Sequence, residues 1–175
     1  MAAIPARCNS WVTVISLGLQ GVVVVKLSDY LTIDQVCLEL ESTDKNGVIQ
    51  ELAEYIKEAK GMKDFKTYVK DVFKREEVAT TGIGGEVAIP HARTDAVESF
   101  VIAFGRSTKG VDFKALDNDP CKLYFMLGTP RDQVPQYLQI LAHLTRLLKN
   151  PSFCNELLAA KTQERVIHIF EDAEK

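Results

Sequence analysis

Two apolar runs, Phe100-Val101-Ile102-Ala103-Phe104 and Leu123-Tyr124-Phe125-Met126-Leu127, restrict the possible folds of this chain more than any other feature. Both are rich in β-branched or aromatic residues and both are flanked by turn signals, so they read as strands buried within a sheet. Between them, Asp117-Asn118-Asp119-Pro120 is turn chemistry. A shorter strand candidate lies around Val36 to Leu40.

Helical patterns occur on both sides of this apolar pair. Ser42-Thr43-Asp44 supplies N-cap chemistry for a helix carrying Ile49, Leu52, Ala53 and Ile56 at helical spacing, with Gly61 just past its end. Asp64 can cap a second helix, in which Phe65, Tyr68, Val69, Val72 and Phe73 follow an i, i+3, i+4, i+7, i+8 pattern and Arg75 falls near the C-terminal end. Beyond the strands, Pro135 is placed as an early helix residue before Leu138, Leu141, Leu144 and Leu148. Asn150-Pro151 marks the next cap and Thr162 a further start. The order of helices, strands and helices contains no repeat, linker or low-complexity tract. With 175 residues, 46% of them hydrophobic, the chain reads as one α/β domain.

Charge and cysteine usage exclude several function classes. Lys and Arg number 21 against 24 Asp and Glu, a formal charge of −3 with no long block of one sign, so nucleic acid is not an expected partner. Cys8, Cys37, Cys121 and Cys154 are scattered, with no CxxC and no Cys/His pair at ligand spacing, which argues for reduced thiols in the cytoplasm and against a metal site. The apolar stretch from Trp11 to Val25 is too short to span a bilayer comfortably, so no stable membrane insertion is expected. It also lacks a good small-residue cleavage site after Leu19-Gln20-Gly21. Residues 1–25 are therefore read as an N-terminal extension, added upstream of a start near Val25 or Lys26, and 26–175 as the domain.

The chemistry concentrates in Thr81-Gly82-Ile83-Gly84-Gly85-Glu86-Val87-Ala88-Ile89-Pro90-His91. Three glycines within four positions permit positive φ, Val87 to Ile89 read as a buried strand, and Pro90 cannot donate to a ladder, so pairing is expected to stop there. On spacing alone this is a tight turn followed by a half-buried histidine at a strand end. The wider segment, from Arg75-Glu76-Glu77-Val78-Ala79-Thr80 through the glycines to Ala88-Ile89-Pro90-His91-Ala92-Arg93, resembles the active-site region of the fructose/mannitol-type IIA proteins of the bacterial phosphotransferase system, a family that includes a nitrogen-regulatory branch. Lys26-Leu27-Ser28-Asp29-Tyr30-Leu31 is similar to the family's opening, Lys45 to Gly61 to its first helix, and Val111-Asp112-Phe113 with Leu138-Gln139-Ile140-Leu141-Ala142 to its second half. The similarity extends over roughly residues 26 to 173.

This resemblance implies a three-layer α/β/α sandwich with a mixed central sheet, and a phosphocarrier function in the cytoplasm without cofactor or metal. His91, through Nε2, would accept a phosphoryl group from phospho-HPr or a related histidine phosphocarrier. The acceptor and transporter would be separate IIB and IIC chains, since no permease segment and no cysteine-bearing IIB-like domain follows. In the regulatory alternative, the phosphorylation state would instead control binding to a target protein. Arg75 matches the arginine of the family's Arg-Glu pair and would hold phosphoryl oxygens through its planar fork. Arg93 reads as surface charge that a phosphorylated partner meets. Gly82, Gly84 and Gly85 would leave backbone amides facing the phosphate. The chain departs from the pattern where many members place a second histidine: Tyr137 stands there, able to supply a hydroxyl but not an imidazolium. His143 falls on a different helix face and, like His168, reads as a half-exposed helix histidine. Glu86 stands one place after the position of a glutamate found in some members, and could take over its role.

Overall fold

The computed structural model describes residues 25–175, which include all of the elements below; the expectation for the apolar N-terminal stretch lies outside them except at Val25. After two short 3-10 turns, Leu27–Asp29 and Ile33–Gln35, the chain forms β1 (Val36–Cys37), α1 (Lys45–Ile56), α2 (Phe65–Val78), β2 (Gly82–Gly84), β3 (Val87–Ala88) and β4 (His91–Thr94). It continues through β5 (Val101–Val111), β6 (Cys121–Pro130), α3 (Val134–Leu148), α4 (Pro151–Ala159) and α5 (Gln163–Ala173).

The two apolar runs are the centre of the sheet. β5 and β6 pair antiparallel, with Ile102 opposite Leu127 and Phe104 opposite Phe125. β1 joins β5 in parallel, β3 and β4 join β6 in parallel, and β2 closes the edge antiparallel to β3. The sheet is therefore mixed. Successive side chains point to opposite faces of a strand. Val101, Ala103, Tyr124 and Met126 accordingly pack with Val48, Ile49, Leu52 and Ile56 of α1 and with Tyr68 and Val72 of α2. Ile102, Phe104, Leu123, Phe125 and Leu127 pack on the other face with Ile140 and Leu144 of α3, Leu157 of α4, and Val166 and Phe170 of α5. The result is a three-layer α/β/α sandwich. Each large side chain fully buried in these layers contributes about 1.5–3 kcal/mol.

The helix boundaries follow from side-chain caps. The Asp44 carboxylate accepts the Gly47 amide at 3.0 Å, Asp64 accepts that of Thr67 at 3.1 Å, Asn150 that of Ser152 at 3.0 Å and Thr162 that of Arg165 at 3.2 Å. Each cap stabilises its helix by about 1 kcal/mol. Both central strands run beyond the apolar pentapeptides. In β5 the extension is polar, and Arg106 within it is held because Nε donates to Leu38 O at 2.8 Å while Nη1 donates to the Leu158 and Ala160 carbonyls at 2.8 and 2.7 Å. One guanidinium thus satisfies carbonyls at the C-terminal end of α4 that the helix itself leaves open.

A second polar tie lies at the edge of the layer formed by α3, α4 and α5. Glu174 accepts the Leu27 amide at 2.7 Å, the Ser28 amide at 3.0 Å and the Ser28 hydroxyl at 2.6 Å. His143 Nε2 donates to the same carboxylate at 2.7 Å, while His143 Nδ1 accepts from Arg146 at 2.7 Å. His143 was expected to be half-exposed; it is only 8% exposed, because this carboxylate gives its ring a buried partner. Burial pushes the Glu174 carboxyl up, but the donors from Ser28, Leu27 and His143 together outweigh it and the net shift is downward. Its contribution to stability is therefore fully present above its ordinary value of 4.5 and is lost as pH falls through the lower folded value. Glu174→Ala should destabilise the fold by about 2 kcal/mol at neutral pH. In urea unfolding, the gap between wild type and variant should shrink as the pH is lowered through this range.

Candidate functional site

The site is built where the edge hairpin meets β6. Gly84 at φ 91°, Gly85 at φ 61° and Glu86 at φ 63° turn β2 back into β3. Pairing with β6 does not stop at Pro90, contrary to the sequence expectation. Val87 lies opposite Leu123, Ala88 opposite Tyr124, His91 opposite Leu127 and Thr94 opposite Pro130, so one register continues through both strands. Proline removes a donor but keeps its acceptor. The Pro90 carbonyl accepts the Leu127 amide at 2.9 Å, and this bond carries the register across the gap.

His91 opens β4 and is 8% exposed. Nδ1 lies 2.7 Å from the Ile89 carbonyl oxygen. A carbonyl can only accept, so Nδ1 carries the proton and Nε2 holds the lone pair. Nε2 is buried and has no hydrogen-bond partner among the described residues. The His91 pKa is lowered from the ordinary 6.5, chiefly by burial and further by the Arg75 charge, against opposition from the Ile89 bond and the Glu76 charge. At neutral pH the ring is uncharged, with one unengaged nucleophilic nitrogen.

Arg75, in the last turn of α2, donates through Nη1 to the Ala79 carbonyl at 2.9 Å, which anchors the guanidinium close enough for its charge to act on His91. Tyr137, near the start of α3, has its ring centroid 5.8 Å from that of His91 at an angle of 44°. The Arg93 guanidinium lies 5.5 Å from the centre of the Tyr137 ring, within cation–π range. Of the residues singled out in the sequence, His91 and Tyr137 lie together with Arg93 over the Tyr137 ring, and the Arg75 charge acts on His91.

The glycines are not. The Gly82 amide donates to Thr80 Oγ1 at 3.2 Å and the Gly85 amide to Asp117 at 2.8 Å, so neither is free for an anion. On the order of 20 Å of extended chain separates Gly85 from His91. Gly84 and Gly85 serve the turn through their positive φ, and Gly82 admits the β5–β6 connection, since a Cβ there would sit 2.8 Å from Ala115 Cα. Glu86 is likewise engaged at the hairpin, in an ion pair with Lys122. His143 is tied to Glu174, and His168 pairs with Glu171 at 2.9 Å on an exposed face of α5. Two residues near the site, Glu76 and Lys45, were given no role by the sequence reading. Glu76 is only 9% exposed, and it binds Lys45 of α1 together with the amide and hydroxyl of Thr81. The available signal was its position four residues after Val72, where an acid continues the apolar stripe of α2.

Residues 29–173 match the family described as "Phosphoenolpyruvate-dependent sugar phosphotransferase system, EIIA 2". A fructose-specific EIIA component from Haloferax volcanii is 36% identical over 143 residues, covering 82% of this chain and 93% of that protein. A fructose-specific EIIABC component from Bacillus subtilis is 34% identical over 86% of this chain, which spans 24% of that longer protein. Among solved structures, the nitrogen regulatory protein IIA-Ntr from Neisseria meningitidis superposes with a TM-score of 0.76 at 27% identity, covering 82% of this chain and 97% of that one. A family match across the whole sandwich, with the histidine region inside it, settles the classification: the chain belongs to the EIIA type 2 family of the phosphoenolpyruvate-dependent sugar phosphotransferase system.

Proposed function

We propose that His91 carries the phosphoryl group in this protein, accepting it from a phosphohistidine carrier of the HPr kind and passing it to a separate IIB protein for sugar uptake. The observation that carries this reading is the buried, unpartnered Nε2 of a neutral imidazole. Its lone pair attacks phosphorus as the P–N bond of the donor breaks, and the donor imidazole departs with that bonding pair. Nδ1 keeps its proton throughout, and the Ile89 carbonyl stabilises the positive charge that the ring gains. Arg75 meets the phosphoryl oxygens with the nitrogens of its fork not used on Ala79. Tyr137 limits access over the ring and can donate its hydroxyl to the bound group. Leu138, 58% exposed, and Val134 present apolar surface on the same end of α3, suited to a protein partner. The likeness to the Neisseria meningitidis regulatory protein supports a second reading, in which the same chemistry at His91 controls binding to a target and no sugar is moved.

Incubation with enzyme I, phosphoenolpyruvate and HPr should place one acid-labile, base-stable phosphoryl group on His91 by mass spectrometry. Label retained in His91→Ala, or found on His143, would sink the assignment. Arg75→Ala should slow transfer by about 10²-fold. It should change stability little, and Arg75→Lys should recover only part of the rate because an ammonium lacks the fork. Tyr137→Phe should cost about 1 kcal/mol of phosphoryl-state stabilisation, a several-fold change in the donor–acceptor equilibrium. Transfer should hold at neutral pH and fall only as pH drops through the His91 value, which lies below 6.5. Between 6.5 and that value protonation favours the unfolded chain, so stability should decline in the same window. Supplying a purified IIB protein as acceptor separates the two readings, since a purely regulatory member would retain its label.

A further inference from the structure

We infer that Glu76 is a positioning residue for His91: it draws the Thr81 amide out of the β2–β3 ladder, which leaves the Ile89 carbonyl open to the His91 Nδ1–H and so presents Nε2 as the free nitrogen. The inference rests on the reading of His91 as the phosphoryl acceptor, but its geometry stands on separate observations.

Gly82 lies opposite Ala88 in the antiparallel hairpin, so the next pair outward is Thr81 with Ile89. In a closely spaced antiparallel pair the two residues exchange both N–H···O bonds. Here only one is made, from the Ile89 amide to the Thr81 carbonyl at 2.9 Å. The Thr81 amide donates instead to a carboxylate oxygen of Glu76 at 2.9 Å, and the Thr81 hydroxyl donates to the other oxygen. The Ile89 carbonyl, deprived of its ladder donor, takes the imidazole N–H at 2.7 Å. One ladder bond is thus replaced by two, one donated by the Thr81 amide to Glu76 and one donated by His91 Nδ1 to the Ile89 carbonyl.

Glu76 can act this way because it is itself fixed. Its carboxylate binds the Lys45 ammonium, which lies 4.9 Å from the centre of the Phe113 ring and 3.4 Å from Thr80 Oγ1. A buried carboxylate without such a partner would be costly to hold ionised. If Glu76 is removed, the Thr81 amide is free to return to the ladder acceptor opposite it, Ile89 O. The imidazole then loses the contact that selects its tautomer, and protonation at Nε2 blocks attack on phosphorus.

The test is ¹⁵N NMR of histidine-labelled, unphosphorylated protein at neutral pH, which reads the tautomer without any transfer reaction. Wild type should hold a single tautomer protonated at Nδ1. Glu76→Ala should show a mixture, with transfer from phospho-HPr slowed roughly five- to tenfold, the scale of one hydrogen bond. Glu76→Gln, whose amide oxygen can still accept from Thr81, should keep the wild-type tautomer and most of the rate. A folded Glu76→Ala protein that retains the pure Nδ1–H form would overturn the inference, as would a Glu76→Gln protein as mixed as Glu76→Ala. Should Glu76→Ala fail to fold, scalar couplings across hydrogen bonds in wild type decide the matter. Coupling of the Thr81 nitrogen to the Glu76 carboxyl carbon supports the inference, and coupling to the Ile89 carbonyl carbon overturns it. A wild type with the expected tautomer and no phosphorylation at His91 would refute the proposed function alone.

Discussion

The antiparallel pairing of β5 with β6, covered on both faces, is the constraint from which the rest of the molecule follows. Two strands with apolar side chains on both faces have no solvent side, so a helical layer is required above and below. β6 is also the strand on which the site is aligned. With β5 on one edge, its other edge receives β3 and then β4 in a single register, and that register sets His91 opposite Leu127. Leu127 belongs to the core beneath α3. The His91 ring is therefore positioned by a strand whose register is fixed by side chains packed on both of its faces.

The electrostatics of the site are mutually consistent. A histidine meant to attack phosphorus has to be unprotonated, and an arginine meant to hold phosphoryl oxygens has to stand close to it. In the proposed reaction these needs do not conflict: the Arg75 charge that would attract a phosphoryl group also disfavours the His91 imidazolium, adding to the effect of burial. Arg75 is kept in place by a backbone carbonyl and by no acidic partner among the described residues, so its charge is not neutralised locally.

Much of this was legible in the sequence. Asp44, Asp64, Asn150 and Thr162 mark the helix starts because cap chemistry is local. The central strands are legible as apolar runs. β4 was not, because His91-Ala92-Arg93-Thr94 is polar and follows a proline; it is a strand only because β6 already sets the register beside it. The roles of the Gly82 and Gly85 amides were misread for a related reason, since the acceptor that ties Gly85, the Asp117 carboxylate, comes from a loop far along the chain. His91, Arg75 and Tyr137 were singled out through the resemblance, whereas the pairing of Glu76 with Lys45 required the tertiary contact between α1 and α2. Side chains whose partners are distant in sequence leave little local trace of what they do.

The carboxylate that ties the first turn to the last helix bears on how the fold is assembled. Leu27 and Glu174 are 147 positions apart, so their bond closes a loop that includes every sheet strand. Closing a loop of that length carries a large entropic cost, which is recovered only after most of the intervening structure is in place. The tie should thus form late on the folding route and open early on the unfolding route, acting as a latch on a finished sandwich rather than as a seed for it. During synthesis the opening segment has to wait for nearly the whole domain to leave the ribosome before its amides find their acceptor. Until then, the apolar side chains of Leu27 and Leu31 have no complete core to enter, which makes the interval before closure the stage at which this chain is most exposed to aggregation.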